Sequence, residues 1–333
     1  MEARQANAEG SSGAETGLLV SVIILTYRQA QIIEETIQSV LAQDYSPLEI
    51  VISDDCSPDD TFEVVQSIIA SYDGPHSVVL TRTNGNQGIT GNLQHAVAAS
   101  QGQFLVLHGG DDLSLPHRST ALAKTWIDHG RSAKLIYCDA VTFGDNVVSP
   151  EVISIRYPKD LTKAVRGHVT LGATIGIDRV LFDGFPAIDP DCVGEDFILP
   201  IRAGLLGEVV HLREVLVRYR VSTSEWKSRW NNGDGDGQLE PRSEVIQGTR
   251  YKCGVLRIHL YRQSLADLDA SGVPRDRLRR VLRSGIAENV LFVSFIDRGL
   301  RTLLAECSSL IRHPVSGLRA YLRYRRLMRR DVA

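Results

Sequence analysis

The chain opens, after a polar start, on a short apolar run from Val20 to Leu25 that is rich in β-branched residues and followed by polar ones. That pattern predicts a strand buried on both faces. The period then changes. Ile33, Ile37, Val40 and Leu41 recur at i, i+4, i+7 and i+8, which places them on one face of an amphipathic helix ending near Asp44 to Pro47. Leu48 to Ser53 repeats the strand pattern. Asp59, Asp60 and Thr61 then supply capping chemistry before the helical series Phe62, Val65, Ile68 and Ile69. Ser77 to Leu80 predicts a third strand, Leu93, Ala96 and Val97 a helix stripe, and Phe104 to Leu107 a fourth strand.

Strands alternating with helices imply right-handed crossovers and a mostly parallel sheet, an α/β fold of Rossmann-like type flanked by helices. Beyond residue 130 the pattern loosens. Lys134 to Tyr137 predicts another strand, the stretch to about 165 is rich in turns, and Gly172 to Gly176 reads as a loop or strand edge. Residues 231–242, where Gly233, Gly235 and Gly237 alternate with Asp234 and Asp236, read as a flexible linker or loop. Residues 243–333 are mainly helical in period. Residues 1–17, small and polar, read as a disordered leader without the apolar core of a signal peptide.

Composition changes this picture little. A net charge of -3 over 333 residues supplies no global basic field, so no nucleic-acid partner is expected. The five cysteines are widely separated and form no metal or redox motif, which suits a reducing, cytoplasmic setting. No run of about 18 apolar residues is present, so no membrane span is expected. In the Arg-rich tail, Arg319, Arg323, Arg326 and Arg330 share one helical face while Leu318, Tyr321 and Leu322 favour another. A helix peripheral to a membrane and a solvated or subunit-packing helix are equally consistent with this spacing.

Ligands of such sheets sit beyond the carboxyl ends of the strands. Asp111 and Asp112 follow the fourth strand as adjacent carboxylates, whose mutual repulsion a magnesium or manganese ion would relieve. A solvated turn is the alternative. Asp54 and Asp55 end the second strand, where a carboxylate can accept the N3 hydrogen of a uracil or thymine ring, with Thr26 adding a hydroxyl and Tyr27 a stacking face. Helix capping is the alternative there. Glu195 and Asp196, after Gly194, fit the first turn of a helix, as a proton acceptor or as dipole complementation. His95, His108 and His117 have no partners at metal-ligand spacing.

Taken together, Val20 to Tyr27 with the helix through Gln43, Val51 to Asp60, Asn86 to Asn92, Gly109 to Asp112, Glu195 with Asp196, and Tyr219 with Arg220 resemble the family 2 glycosyltransferases of the GT-A fold, from Leu18 to Glu225. The resemblance implies a glycosyltransferase domain over residues 18–230. It implies Thr26, Tyr27 and Asp55 at the base of a UDP- or dTDP-linked sugar donor, Asp111 near the ribose, and Asp112 on Mn2+ or Mg2+. Asp196 would be the catalytic base of an inverting, metal-dependent hexosyl transfer to a saccharide or lipid-linked acceptor, with Glu195 in support. A sugar nucleotidyltransferase and an inactive nucleotide-sugar binding subunit are the rival readings. Two positions depart from the family pattern. Gly109 stands where many members carry an aspartate, and Ser222 where many carry a histidine; if that histidine helps hold the metal or diphosphate, either His211 or Arg220 compensates or the metal is bound more weakly.

Overall fold

The structure is a computed structural model that describes residues 17–144, 147–166, 170–192, 194–221 and 242–305, with a few positions near 320. The leader, Ser222, the 231–241 segment and most of the Arg-rich tail lie outside the described residues.

Three strand and helix pairs build the first half: β1 (Val20–Thr26) and α1 (Ile33–Leu41), β2 (Leu48–Asp54) and α2 (Thr61–Ala70), β3 (Ser77–Arg82) and α3 (Gly88–Ala99). β4 (Phe104–Gly109), β5 (Leu113–Ser114) and α4 (Arg118–Asp128) follow. The second half holds β6 (Ala133–Phe143), β7 (Val152–Ile153), α5 (Leu161–Ala164), a 3-10 turn at Gly172–Thr174, β8 (Ile175–Asp178), α6 (Val180–Asp183), α7 (Glu195–Leu206) and β9 (Glu208–Arg220). Two long helices, α8 (Arg242–Ala270) and α9 (Asp276–Ala305), come last.

The strands form one sheet in the order β3-β2-β1-β4-β8-β6-β9-β5, with β7 beside β6. β1, β2, β3 and β4 are mutually parallel, and β6 pairs parallel with β9. β8 runs antiparallel between β4 and β6, so β6 and β9 point the same way as β4. The stretch Gly172 to Gly176 is therefore no strand edge: it is a 3-10 turn entering a strand at the middle of the sheet. Gly176 is required there, because a side-chain carbon at that position would lie 2.6 Å from the Phe104 ring.

Period-2 alternation sends β1 side chains to both faces, and both are covered. Val22 and Ile24 join α1, α2 and α4 through Ile33, Ile37, Val65, Leu122 and Trp126. Ile23 faces the other layer, with Leu93 and Ala96 of α3 and Ile198, Leu199 and Ile201 of α7. Each fully buried aliphatic side chain of this kind contributes about 1.5–3 kcal/mol. The α2 start uses Asp59, not Asp60, to accept from the Thr61 amide and hydroxyl. Among the described residues no helix is long and apolar enough to cross a membrane.

α8 and α9 pack as a hairpin, with Gly285 allowing the Tyr261 ring within what would otherwise be side-chain space. Leu260 and Leu268 of α8 and Leu278 and Leu282 of α9 continue the α7-side core. The joint is also ionic. Arg202 of α7 donates to both oxygens of Asp267, at 2.9 and 3.0 Å, and both side chains are fully buried. We expect Asp267→Ala to destabilise the protein by about 3–5 kcal/mol, because it strands a buried guanidinium. Denaturant unfolding measures this, and a loss under about 1 kcal/mol would show that Arg202 finds other partners.

Candidate active site

The parallel strands β1, β2, β4, β6 and β9 all end at one edge of the sheet, and the polar residues gather there. Thr26 lies opposite Asp54 in the β1 and β2 register, and the Asp55 amide donates to the Thr26 carbonyl at 2.9 Å. The two adjacent aspartates have different surroundings. Asp54 is fully buried and saturated: the Ser57 amide donates to it at 2.9 Å and Arg82 Nε lies at 3.1 Å. It is a structural residue.

Asp55 Oδ1 accepts from the Thr83 hydroxyl at 3.1 Å and the Gln87 amide at 2.8 Å, which orients the carboxylate and leaves Oδ2 for a ligand. Gln87 belongs to the glycine-spaced turn before α3, so that turn borders Asp55. Thr26 Oγ1 is buried without a hydrogen-bond partner among the described residues. Arg28 and Cys56, at φ values of 56° and 57°, hold left-handed conformations in the β1 and β2 loops, a strain that non-glycine residues keep mostly at functional sites. Tyr27 is half-buried with the Arg28 guanidinium 5.8 Å from its ring centre.

The β4 end carries the second group. A side-chain carbon at position 109 would lie 2.9 Å from Asp111 Oδ1 and 2.9 Å from Asp112 Oδ2. The two carboxylates thus lean over Gly109 from both sides, in the space an aspartate there would occupy. Burial, then the Asp111 charge, pushes the Asp112 carboxyl well above its usual range, and burial raises Asp111 as well. The Arg220 amide donates to Asp112 Oδ1 at 2.8 Å, and Arg220 Nε to the Asp111 carbonyl at 2.8 Å. The Arg220 guanidinium also bonds Glu35 and lies 4.4 Å from the Phe143 ring centre. Two close carboxylates, Asp112 buried and Asp111 partly so, carrying hard oxygen donors are a donor set that fits Mn2+ or Mg2+.

His211 cannot take part. It sits near the start of β9, paired with Tyr137, stacked on that ring at 4.6 Å and bonded to Asp139 at 2.7 Å. Arg220 is nine positions further along the same strand. At about 3.3 Å per residue, that separation is far beyond ligand reach even with the strand's irregular register. Of the two compensating residues considered, only Arg220 reaches the acidic pair. His108 is buried, and burial followed by the Arg118 charge pushes it down to about 3, so it stays neutral. His95 bonds Thr81 and His117 bonds Glu214.

The third group is the start of α7. Glu195 and Asp196 form its first turn, after Gly194 at φ 136°. The Asp196 carbonyl accepts from the Thr170 amide and hydroxyl at 3.1 and 3.2 Å. Burial, reinforced by the Glu195 charge, pushes the Asp196 carboxyl up to about 8, and burial raises Glu195. Tyr219, next to Arg220 on β9, joins this group to the other: burial and the charges of Asp112, Asp111 and Asp196 together raise its hydroxyl to about 12. Asp111, Asp112 and Asp196 therefore lie within charge range of Tyr219.

Residues 21–180 match the family model described as glycosyl transferase family 2. Over those residues the chain is similar to that family. A Campylobacter jejuni GalNAc(5)-diNAcBac-PP-undecaprenol beta-1,3-glucosyltransferase is 34% identical over 93 residues, 28% of this chain and 29% of that protein. The Escherichia coli enzyme WfaP, a UDP-Glc:alpha-D-GlcNAc-diphosphoundecaprenol beta-1,3-glucosyltransferase, is 32% identical over 94 residues, 28% of this chain and 36% of that protein. The chain spans less than two thirds of the length of these relatives. Among solved structures, S. aureus TarS 1-349 in complex with UDP superposes with a TM-score of 0.52 at 15% identity, covering 93% of this chain and 92% of that one. The mannosyltransferase PcManGT from Pyrobaculum calidifontis, in complex with GDP-Man and Mn2+, gives 0.53 at 17% identity, covering 91% and 84%. The chain shares the GT-A fold of these structures.

Within this site, sequence reasoning missed Arg118, Glu35 and Phe143. Arg118 is fully buried beneath the β4 end, donating to the carbonyls of Leu107 at 2.7 Å and Ala173 at 2.6 Å, and so ties β4 to the 3-10 turn. An arginine on an amphipathic helix carries no sequence signal for burial. Asp189, Asp191 and His259 form another cluster, with ligand atoms within 4.8 Å of one another. It does not include Asp111 or Asp112, and His259 already pairs with Asp189 at 3.3 Å.

Proposed function

We propose that the chain is an inverting glycosyltransferase that moves a sugar from a UDP- or dTDP-linked donor to an acceptor hydroxyl. The observation that carries this reading is the placement of Asp111, Asp112 and Asp196 within charge range of Tyr219, at the sheet edge where Asp55 and Thr26 present unused hydrogen-bonding atoms. One pair suits a cation and the other a proton, the two charges that sugar transfer from a diphosphate must manage.

Asp55 Oδ2 accepts the N3 hydrogen of the base and Thr26 supplies a hydroxyl beside it. Asp111 and Asp112 would hold Mn2+ or Mg2+, which when bound neutralises charge on the diphosphate. Arg220, fixed by Glu35 and Phe143, adds positive charge at the same place. Asp196 removes the acceptor proton as the hydroxyl attacks the anomeric carbon from the side opposite the leaving group, so configuration inverts. Relatives named for undecaprenol-linked acceptors favour a lipid-linked saccharide here too, in glycan, lipopolysaccharide or glycolipid assembly at the cytoplasmic face of a membrane.

Thermal shift against a panel of nucleoside diphosphates with manganese tests the donor half. UDP or dTDP should raise Tm more than GDP or ADP, and no nucleotide raising it would contradict the reading. Asp55→Ala should weaken UDP binding by about 1.5–3 kcal/mol, the worth of a hydrogen bond to a charged acceptor. Calorimetry reads it, and unchanged affinity would put the base elsewhere.

A further inference from the structure

Leu256, Leu260, Gln263, Ser264 and Asp267 recur along α8 at i, i+4, i+7, i+8 and i+11, one helical face. This face meets the segment that delivers Glu195 and Asp196. Gln263 Oε1 accepts from the Asp189 amide at 2.9 Å, and Gln263 Nε2 donates to Asp267 Oδ1 at 2.9 Å. Asp267 in turn holds Arg202, whose other N–H groups donate to the carbonyls of Leu181 at 2.9 Å and Pro186 at 2.7 Å. Beyond Asp189, a side-chain carbon at Gly194 would lie 3.7 Å from Leu260 Cδ2 and 3.6 Å from Asp196 Oδ1. The α8 leucine and the Asp196 carboxylate thus flank the same glycine.

The segment from Pro186 to Gly194 is consequently tied to α8 at Pro186 through Arg202, at Asp189 through Gln263, and by contact at Gly194. Gly194 is intrinsically permissive, so the start of α7 takes its direction from these ties and from Thr170 on the Asp196 carbonyl. Placement matters because a base displaced by about 1 Å loses on the order of 100-fold in rate.

We propose that Gln263 and Asp267 of α8 are positioning residues for the Asp196 carboxylate, so that a helix outside the 21–180 family match is a working part of the transfer site. The inference rests on Asp196 being the base. Gln263 is the better probe, since its removal breaks the tie to Asp189 without stranding a charge. Gln263→Met keeps the side-chain length. Leu268→Ala, a cavity in the same helix that leaves the Gln263 bonds in place, is the control for lost stability.

Three readouts are compared in the full chain: amide exchange of residues 187–198 without ligand, UDP affinity, and kcat with KM. In Gln263→Met we expect faster exchange in that segment, kcat lowered tenfold or more, and UDP affinity and donor KM within twofold of native. Leu268→Ala should leave segment exchange and kcat near native. Unchanged exchange and kcat in Gln263→Met, or equal changes in Leu268→Ala, would overturn the proposal while leaving the role of Asp196 intact. Faster exchange with unchanged kcat overturns it as well. If exchange quickens in Gln263→Met alone but the native chain transfers no sugar, the functional reading fails and the positioning role fails with it.

Discussion

Asp196→Asn should keep the fold and UDP affinity while lowering acceptor-dependent turnover by roughly 100-fold to 10,000-fold, the usual contribution of a positioned general base. Asparagine is nearly isosteric, and the backbone carbonyl that Thr170 holds is unaffected. The pH profile gives a second reading. Because burial and Glu195 raise this carboxyl to about 8, native turnover should climb with pH through that region as the base ionises, and the residual turnover of Asp196→Asn should lack that limb. Stability runs the other way. A carboxyl raised in the folded state binds its proton to higher pH than in the unfolded chain, so its contribution falls as pH rises from about 4 to about 8. At pH 8 the Asn variant should therefore melt no lower than native. Glu195→Gln should cost less turnover. Near-native activity in Asp196→Asn with Glu195→Gln inactive would reverse the two roles.

Asp112→Asn should abolish the dependence of donor binding on manganese. The Asn oxygen can still accept from the Arg220 amide, which keeps β9 docked on the β4 loop. What is lost is a charged oxygen, and a cation's contribution to diphosphate binding is several kcal/mol, so affinity with manganese should fall about 100-fold or more. Titration of UDP with manganese and with a chelator measures it. Equal affinity in both conditions for the native protein would remove Asp112 as a ligand. Gly109→Asp probes the same geometry: the added carboxylate must displace Asp111 or Asp112, each 2.9 Å from the first atom it would add.

The first half of the fold was readable because its period changes are clean. A β-branched run followed by apolar residues at helical spacing marks β1 and α1, and the same reading serves β2, α2, β3, α3 and β4. In the second half β6 and the start of α7 were readable, while β8 and β9 were hidden for physical reasons. β8 is only four residues long and includes Gly176, whose lack of a side chain makes room for Phe104 but erases any hydrophobic signal. β9 alternates charged residues with valines and leucines, as its part-exposed course allows, and it was not foreseen as a strand. Of the site, the acidic residues were visible because each follows a strand or opens a helix. Their grouping about Tyr219 was not, since β9 reaches Asp112 only through pairing 108 residues away in sequence. His211, weighed as a substitute ligand on residue type alone, was excluded by its place at the other end of that strand.

The most direct test is to incubate the full chain with UDP- and dTDP-linked sugars, manganese and a lipid-diphosphate-linked saccharide, and to follow nucleoside diphosphate release together with the anomeric configuration of the product by NMR. The account predicts release that depends on acceptor and on Asp196, with the anomeric centre inverted relative to the donor. Release of nucleoside diphosphate with retained configuration, or formation of nucleoside triphosphate from donor and pyrophosphate without any glycoside, would contradict it.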